Sequence, residues 1–274
     1  MPVGGMGVVS KFSDLEPKVF VEEIIGFQRN EYNLRKLCRV VQVPNLQATV
    51  RLATRGTVDE KVLELQEPDF KVADYEVVNF ALWKNVGMVG FSDESQKRVN
   101  EDLMRIEIED TARDLGRAEN TQIATALEAG GDETAGSDWG GSNNPASDIM
   151  PLVAGMQDDD LGLDPDYIAM HPLVLADIMQ NDDVMKEIHH TQITRTGKIA
   201  ELYGLQILLD IHLTNTKAIV IDSDANACLL GVGGTSAGRW RNEPAGYDAY
   251  IIRQWLEPLC PRTNPIQILT GVHA

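Results

Sequence analysis

The chain has little cysteine, no long apolar run and no concentration of positive charge. Its three cysteines, Cys38, Cys228 and Cys260, are odd in number and far apart with no CxxC. With that spacing neither a disulfide framework nor a cysteine zinc site is indicated, and reduced thiols are the expectation. The start, MPVGGMGVVSKF, lacks a basic stretch leading into an apolar one, and no later segment is apolar over the length a membrane helix needs. A soluble chain without membrane partners is expected. The 24 Lys+Arg are scattered among 42 Asp+Glu, a net charge of -18, so neither a basic stripe nor general nucleic-acid binding by the whole surface is indicated. What remains is 274 residues, 43% hydrophobic and 24% charged, enough to bury a sizeable core in one large or two small domains. Disorder and collagen-like structure are excluded.

The acidity is local. Residues 131–170 carry 9 Asp+Glu and no Lys or Arg, half the net charge. Within them, GGDETAGSDWGGSNNPASD is rich in Gly, Ser and Asn, which reads as a flexible connection and a domain junction.

Before the junction, Val99, Leu103, Ile106, Ile108, Ala112, Leu115, Ala118, Ile123 and Ala126 recur mostly every three or four residues. The pattern predicts an amphipathic helix over 92–129, with Ser92 and Ser95 as capping hydroxyls and Gly130-Gly131 as the stop. At about 1.5 Å per residue this is a rod of roughly 50 Å, too long for a compact globule to cover. Upstream, Val40–Val43, Ala48–Leu52, Val62–Leu65 and Tyr75–Val89 read as strands around a polar tip at Thr54–Lys61. Such a long two-stranded excursion is marginal alone and calls for a partner. The apolar residues Val19, Phe20, Ile24, Ile25 and Phe27 fit an arm or short helix.

After the junction, short elements alternate. Helices are expected at Ser147–Met156 and Pro172–Met179, with Asp182–His189 continuing or following. Strands are expected at Tyr167–Met170, Gln206–Leu209, Ala218–Asp222, Ala227–Leu230, Tyr247–Trp255 and Ile266–Thr270, and GVGGTSAG is expected to be a flexible glycine loop. The class is α+β, without a βαβ repeat.

The sharpest catalytic signal is Gly234-Thr235-Ser236-Ala237-Gly238, a GxSxG followed by Asp248 and His273 in hydrolase order. A nucleophile elbow requires a helix after the serine, yet RWRNEPAGY follows. The serine hydrolase therefore stands as an alternative of another class, and no enzyme is expected. The same glycines lack the Lys of a phosphate loop. Glu187 and His190 have di-iron spacing without a second copy. Asp158, Asp159, Asp160, Asp164 and Asp166 offer oxygens to a cation but miss EF-hand spacing, and His171, His189, His190 and His212 form no HExxH. No catalytic residue, metal or cofactor is expected.

The order of a charged arm, a long β excursion, a lone helix, a Gly/Ser/Asn junction, an α+β domain and closing strands resembles the major capsid proteins of tailed viruses, the HK97-type fold. The phrases that carry it are FSDESQKRVNEDLMRIEIEDTARDLGRAENTQIATAL, DPDYIAMHPLVLADIM, GLQILLD, AIVIDSDANACLLG and YDAYIIRQWLEPLCPRTNPIQILTGV. The resemblance implies an N-terminal arm (1–40), an E-loop (41–90), a P-domain with its spine helix (91–145), an A-domain (146–245) and closing P-domain strands (246–274). It implies hexamers and pentamers of the chain in an icosahedral shell around double-stranded DNA, assembled in a host's cytoplasm. Separate scaffolding, portal or cement proteins are its other implied partners. Arg55, Gly56, Asp59 and Glu60 would form the tip that reaches a neighbour. Lys61 and Asn264 are the candidates for the isopeptide cross-link some members make. The same fold also builds encapsulin compartments, the alternative within the fold.

Overall fold

The computed structural model describes residues 33–53, 75–94, 101–141, 143–158, 162–181, 184 and 201–273, with side chains in the first helix from residue 106 onward. That helix, α1 (Glu101–Gly130), buries Ile108, Ala112, Leu115, Ile123, Ala124 and Leu127, the spacing of one helical face. Thirty residues make a rod of about 45 Å. Its end is set by packing. A Cβ on Gly131 would lie 2.8 Å from Ile266 Cγ2 and from Ile268 Cγ1, so the chain leaves the helix flush against a strand and no side chain fits there.

Four strands form the sheet beneath α1. β1 (Cys38–Gln42) follows a 3-10 turn at Leu34–Leu37, whose two leucines are fully buried. β1 pairs parallel with β10 (Cys228–Asn242), which pairs antiparallel with β11 (Tyr247–Leu259), and β11 with β4 (Trp83–Ser92). The order β1-β10-β11-β4 leaves β1 and β4 as edges. A separate hairpin, β2 (Gln47–Ala53) with β3 (Tyr75–Ala81), is the root of the β excursion. The expected single strand Tyr75–Val89 is two strands, broken at Leu82, where the chain exchanges β2 for β11 as its partner.

The second sheet has six strands. In the order β5-β12-β9-β6-β8-β7 it contains β5 (Asp132–Ala135), β12 (Ile266–Thr270), β9 (Lys217–Ile221), β6 (Tyr167–Met170), β8 (Leu205–Leu209) and β7 (Glu201–Leu202). One face packs on α2 (Ala146–Asp158) and α3 (Pro172–Gln180) through Ile149, Met156, Ile168, Met170, Val174 and Ile178. The other face, with Ala169, Ile219, Ile221, Ile266 and Ile268, shares a core with Leu34, Leu37, the C-terminal half of α1, and Cys228 and Leu230.

Two expectations are corrected here. GVGGTSAG is not a flexible loop but the middle of the 15-residue strand β10. The register slips between Val232 and Gly234, a β-bulge that reverses which side chains face α1. Gly234 has φ +94, and a Cβ on Gly231 would meet Phe80 Cδ1 at 2.6 Å. Gly234 supplies the positive φ at the bulge, and Gly231 makes room for the ring of Phe80.

The Gly/Ser/Asn junction is not a flexible connection either. β5 within it pairs parallel with β12, and Trp139 is fully buried. Asp148 Oδ2 accepts from Ser137 N (2.9 Å), Ser137 Oγ (2.6 Å) and Trp139 Nε1 (2.9 Å). Burial alone would raise the pKa of this carboxyl, but the hydrogen bonds from Ser137, Trp139 and Ser147 outweigh it and hold it below its usual value. Residues Val19–Phe27, the tip Thr54–Lys61, the strand Val62–Leu65 and all of Asp182–His189 except Val184 lie outside the described residues.

Candidate assembly surface

The four-stranded sheet is covered unequally. On one face, Val89, Phe91, Tyr250 and Ile252 pack under Ile108, Ala112 and Leu115 of α1. On the other face, the hairpin root seats Leu52, Val78 and Phe80 against Val43 and Leu229, but it reaches only the β1 end. Beyond it, the residues of β4 that point away from α1 include Val86 and Met88, 49% and 59% exposed. Met88 pairs with Ile251 and Val86 with Arg253. Across β11 the row continues to Ser236 and Gly238, beside Trp240, which is 47% exposed. Trp83, at the start of β4, is 72% exposed.

Among the described residues, then, half of one sheet face and a ten-residue edge strand carry apolar side chains into solvent. An exposed, long, apolar edge is a template for another chain unless a partner covers it. The hairpin shows the same division: one face anchors it to its own body, while Tyr75 and Val77 on the other are 52% and 54% exposed.

The far end of this sheet is held by charge. Asp248, 2% exposed, accepts from Arg239 Nη2 (2.9 Å) and Arg241 Nη1 (3.2 Å), and Arg241 also holds Asp93 at 2.9 Å. The guanidinium of Arg239 is pushed above its usual pKa, first by its hydrogen bond to Asp248. This network explains the aspartate of the hydrolase pattern and disqualifies it. Ser236 lies within a strand, opposite Arg253, on the face away from Arg239 and Arg241. His273 bonds through Nδ1 to Asp177 of α3 in the other sheet's layer. Ser236, Asp248 and His273 are three unrelated positions, with no turn and no helix after the serine, so the serine hydrolase alternative is overturned.

The other sequence candidates are structural or lie outside the described residues. His171 Nδ1 caps α3 by accepting from Leu173 N at 3.1 Å. His212 Nδ1 stands 3.1 Å from Thr121 Oγ1. Asp166 accepts from Ser223 N (2.9 Å), and Asp222 accepts from Asp164 N (2.9 Å) and Asp224 N (3.0 Å), so these carboxylates build turns. Asn264 sits in the turn before β12, where its carbonyl oxygen accepts from Gln267. Arg55, Gly56, Asp59, Glu60, Lys61, Asp159, Asp160, Glu187, His189 and His190 lie outside the described residues. No described helix is long and apolar enough to cross a membrane.

One buried group between α1 and the sheet escapes sequence reasoning. Glu119 is fully buried, takes a hydrogen bond from Gln254 Nε2 at 2.8 Å and has Arg35 Nε 3.6 Å away. Burial raises its pKa from 4.5, outweighing the opposing pull of Arg35 and Gln254. The fold therefore binds this proton more tightly than the unfolded chain does. The resulting stability is fully present below pH 4.5 and is lost as pH rises through the folded value. Thermal melts from pH 4.5 to 8 should show Glu119→Gln, which keeps the neutral form at all pH, with a flatter slope and a Tm at pH 7 no lower than the parent's. A parallel slope would assign the pH dependence elsewhere.

A family model described as phage capsid protein matches residues 78–256. No curated protein sequence matches the chain significantly. Among solved structures, it is similar to the virus-like particle from Pyrococcus furiosus, with TM-score 0.67 at 12% identity, covering 92% of this chain and 98% of that one. It is similar to the capsid of the native GTA particle, with TM-score 0.69 at 12% identity, covering 88% and 90%. The structure from Mycobacterium phage Che8 matches with TM-score 0.63 at 13% identity, covering 84% and 86%. At such identities these likenesses establish the fold, which is the HK97-like capsid fold.

Proposed function

Because this chain belongs to the phage capsid protein family and is a structural, non-enzymatic subunit of a self-assembled shell, we propose that its copies close hexamers and pentamers through the apolar surfaces exposed among its described residues. The observation that carries this is the half of the four-stranded sheet left exposed among the described residues, with Val86 and Met88 on the edge strand β4 and Trp240 on β10. In a repeating shell, each such face is buried by the next copy.

On this reading, residues 1–40 form an arm, 41–90 an E-loop whose root is the β2–β3 hairpin, 91–145 and 246–274 a P-domain spanned by α1, and 146–245 an A-domain near the symmetry axes. The E-loop tip, Arg55, Gly56, Asp59 and Glu60, lies on a neighbour, and Lys61 and Asn264 are the pair to examine for an inter-subunit bond. The shell encloses double-stranded DNA without reading its sequence, and assembles in a host's cytoplasm with scaffolding, portal or cement proteins supplied separately. The net charge of -18 is compatible with enclosed DNA because counterions screen it within about 8–10 Å. The encapsulin alternative draws no better support from the family and structural matches.

Electron microscopy of the purified chain tests the reading. Closed particles or five- and six-fold rings are expected, and a chain that stays monomeric at high concentration overturns it.

A further inference from the structure

The chain's three cysteines, scattered through its length, meet at one point of the fold. β1 and β10 are parallel partners whose register sets Cys38 opposite Cys228, and the two Sγ atoms are 2.7 Å apart. The third thiol, Cys260, follows β11, and its hydrogen bond with Cys228 makes the trio continuous. Cys38 and Cys228 are buried at 8% and 1% exposure, whereas Cys260 is partly open. Paired positions on neighbouring strands fall within the Cα separation a disulfide needs, and the sulfurs have less than about 1 Å to close to reach bonding distance. All three thiols are free in the structure.

We propose that this cluster is an oxidative cross-linking site, in which a low-molecular-weight disulfide enters at Cys260 and the bond migrates inward to join Cys38 to Cys228. The Cys260 thiolate attacks the small disulfide, forming a mixed disulfide and releasing one small thiol. Cys228 then attacks the Cys260 sulfur and expels the second small thiol. Cys38 attacks Cys228 and returns Cys260 to the thiol. In sum, two protein thiols are oxidised, one small disulfide is reduced to two thiols, and the two protons pass to those thiols.

Burial makes the site slow, which suits a late event. The Cys260 thiol is pushed far up by its hydrogen bond to Cys228 and by burial. Cys228 is also raised, since Cys38 and desolvation outweigh the pull of Cys260. Few thiolates form near neutral pH, so the cluster stays reduced through folding in a reducing compartment and seals only on long exposure to an oxidising one.

The bond would matter because β1 is an edge strand held, among the described strands, by a single neighbour, β10, and it follows directly on the buried 3-10 turn Leu34–Leu37. The cross-link closes a loop spanning 190 residues, the kind of long closure for which chain-entropy arguments give the most stabilisation.

The full-length chain, purified under reductant, is incubated with oxidised glutathione, quenched by alkylation, and examined by intact mass and peptide mapping. The expected product has lost two hydrogens, contains a linked Cys38–Cys228 peptide pair with Cys260 alkylated, and melts roughly 5–15 °C higher. Cys38→Ser should end with no such gain, and Cys260→Ser should form the same bond at least about tenfold more slowly. Complete oxidation without the Cys38–Cys228 pair overturns the cross-link, and an unchanged rate in Cys260→Ser overturns the relay. The readout is made on unassembled chains, so failure to form particles leaves it independent.

Discussion

A chain carrying Val86→Glu and Met88→Glu should fold, yet fail to form closed particles. Both side chains point into solvent from an edge strand, where polar substitutions usually change stability by no more than about 0.5 kcal/mol and charge is well tolerated. In a shell that covers this face, burial of the two side chains, each already about half buried in the protomer, contributes about 1.5–3 kcal/mol per contact. Losing it weakens each contact by roughly 10- to 10²-fold, before the cost of desolvating two carboxylates is added. Circular dichroism should match the parent, while light scattering and microscopy should show only small species. Particles at the parent's concentration threshold would place β4 outside the subunit contacts. Lys84→Glu, on the same strand and face, separates apolar from electrostatic causes, because it changes charge without removing an apolar group.

Trp139→Ala should be the most damaging single change to the protomer, lowering stability by about 3–5 kcal/mol. The indole is fully buried among Ile149, Val174 and Val272 in the core between the six-stranded sheet and its helices. Its Nε1 donates to Asp148, so the variant also strips one of three donors from a single carboxylate oxygen. Trp139→Phe separates the two effects. It keeps most of the volume and should cost about 1–3 kcal/mol, mainly for the unmet bond to a charged acceptor. Because the carboxyl of Asp148 is held below its usual pKa, its contribution is present above about pH 4 and is lost as pH falls through the folded value. The gap between Trp139→Phe and the parent should therefore narrow in acid. Urea unfolding at pH 7 and below pH 4 measures both, and equal midpoints for all three proteins would show that the junction carries no stability.

These outcomes bear on how far sequence could be read. Tyr167–Met170 and Ile266–Thr270 form strands at the residues expected, because each is a short run of apolar residues buried from more than one side. The rod α1 was visible in its three-and-four spacing. The glycine run and the Gly/Ser/Asn junction resemble loops in sequence, since composition reports local freedom. What holds them is pairing that composition does not show: beyond Val232, β10 is held by its hairpin partner β11, and β5 pairs with a strand more than a hundred residues later. The apparent triad failed for the same reason. Its chain order was right, but strand register put Ser236 and Asp248 on opposite faces.

By itself, the sequence determined the periodic elements and the likeness to a capsid family. Tertiary structure decided which half of a sheet is left exposed among the described residues, where the buried carboxylates sit, and that three distant thiols share one point. Periodicity is a property of neighbours along the chain, whereas a one-residue slip between strands reverses every side chain, so register and pairing are settled only when remote segments meet.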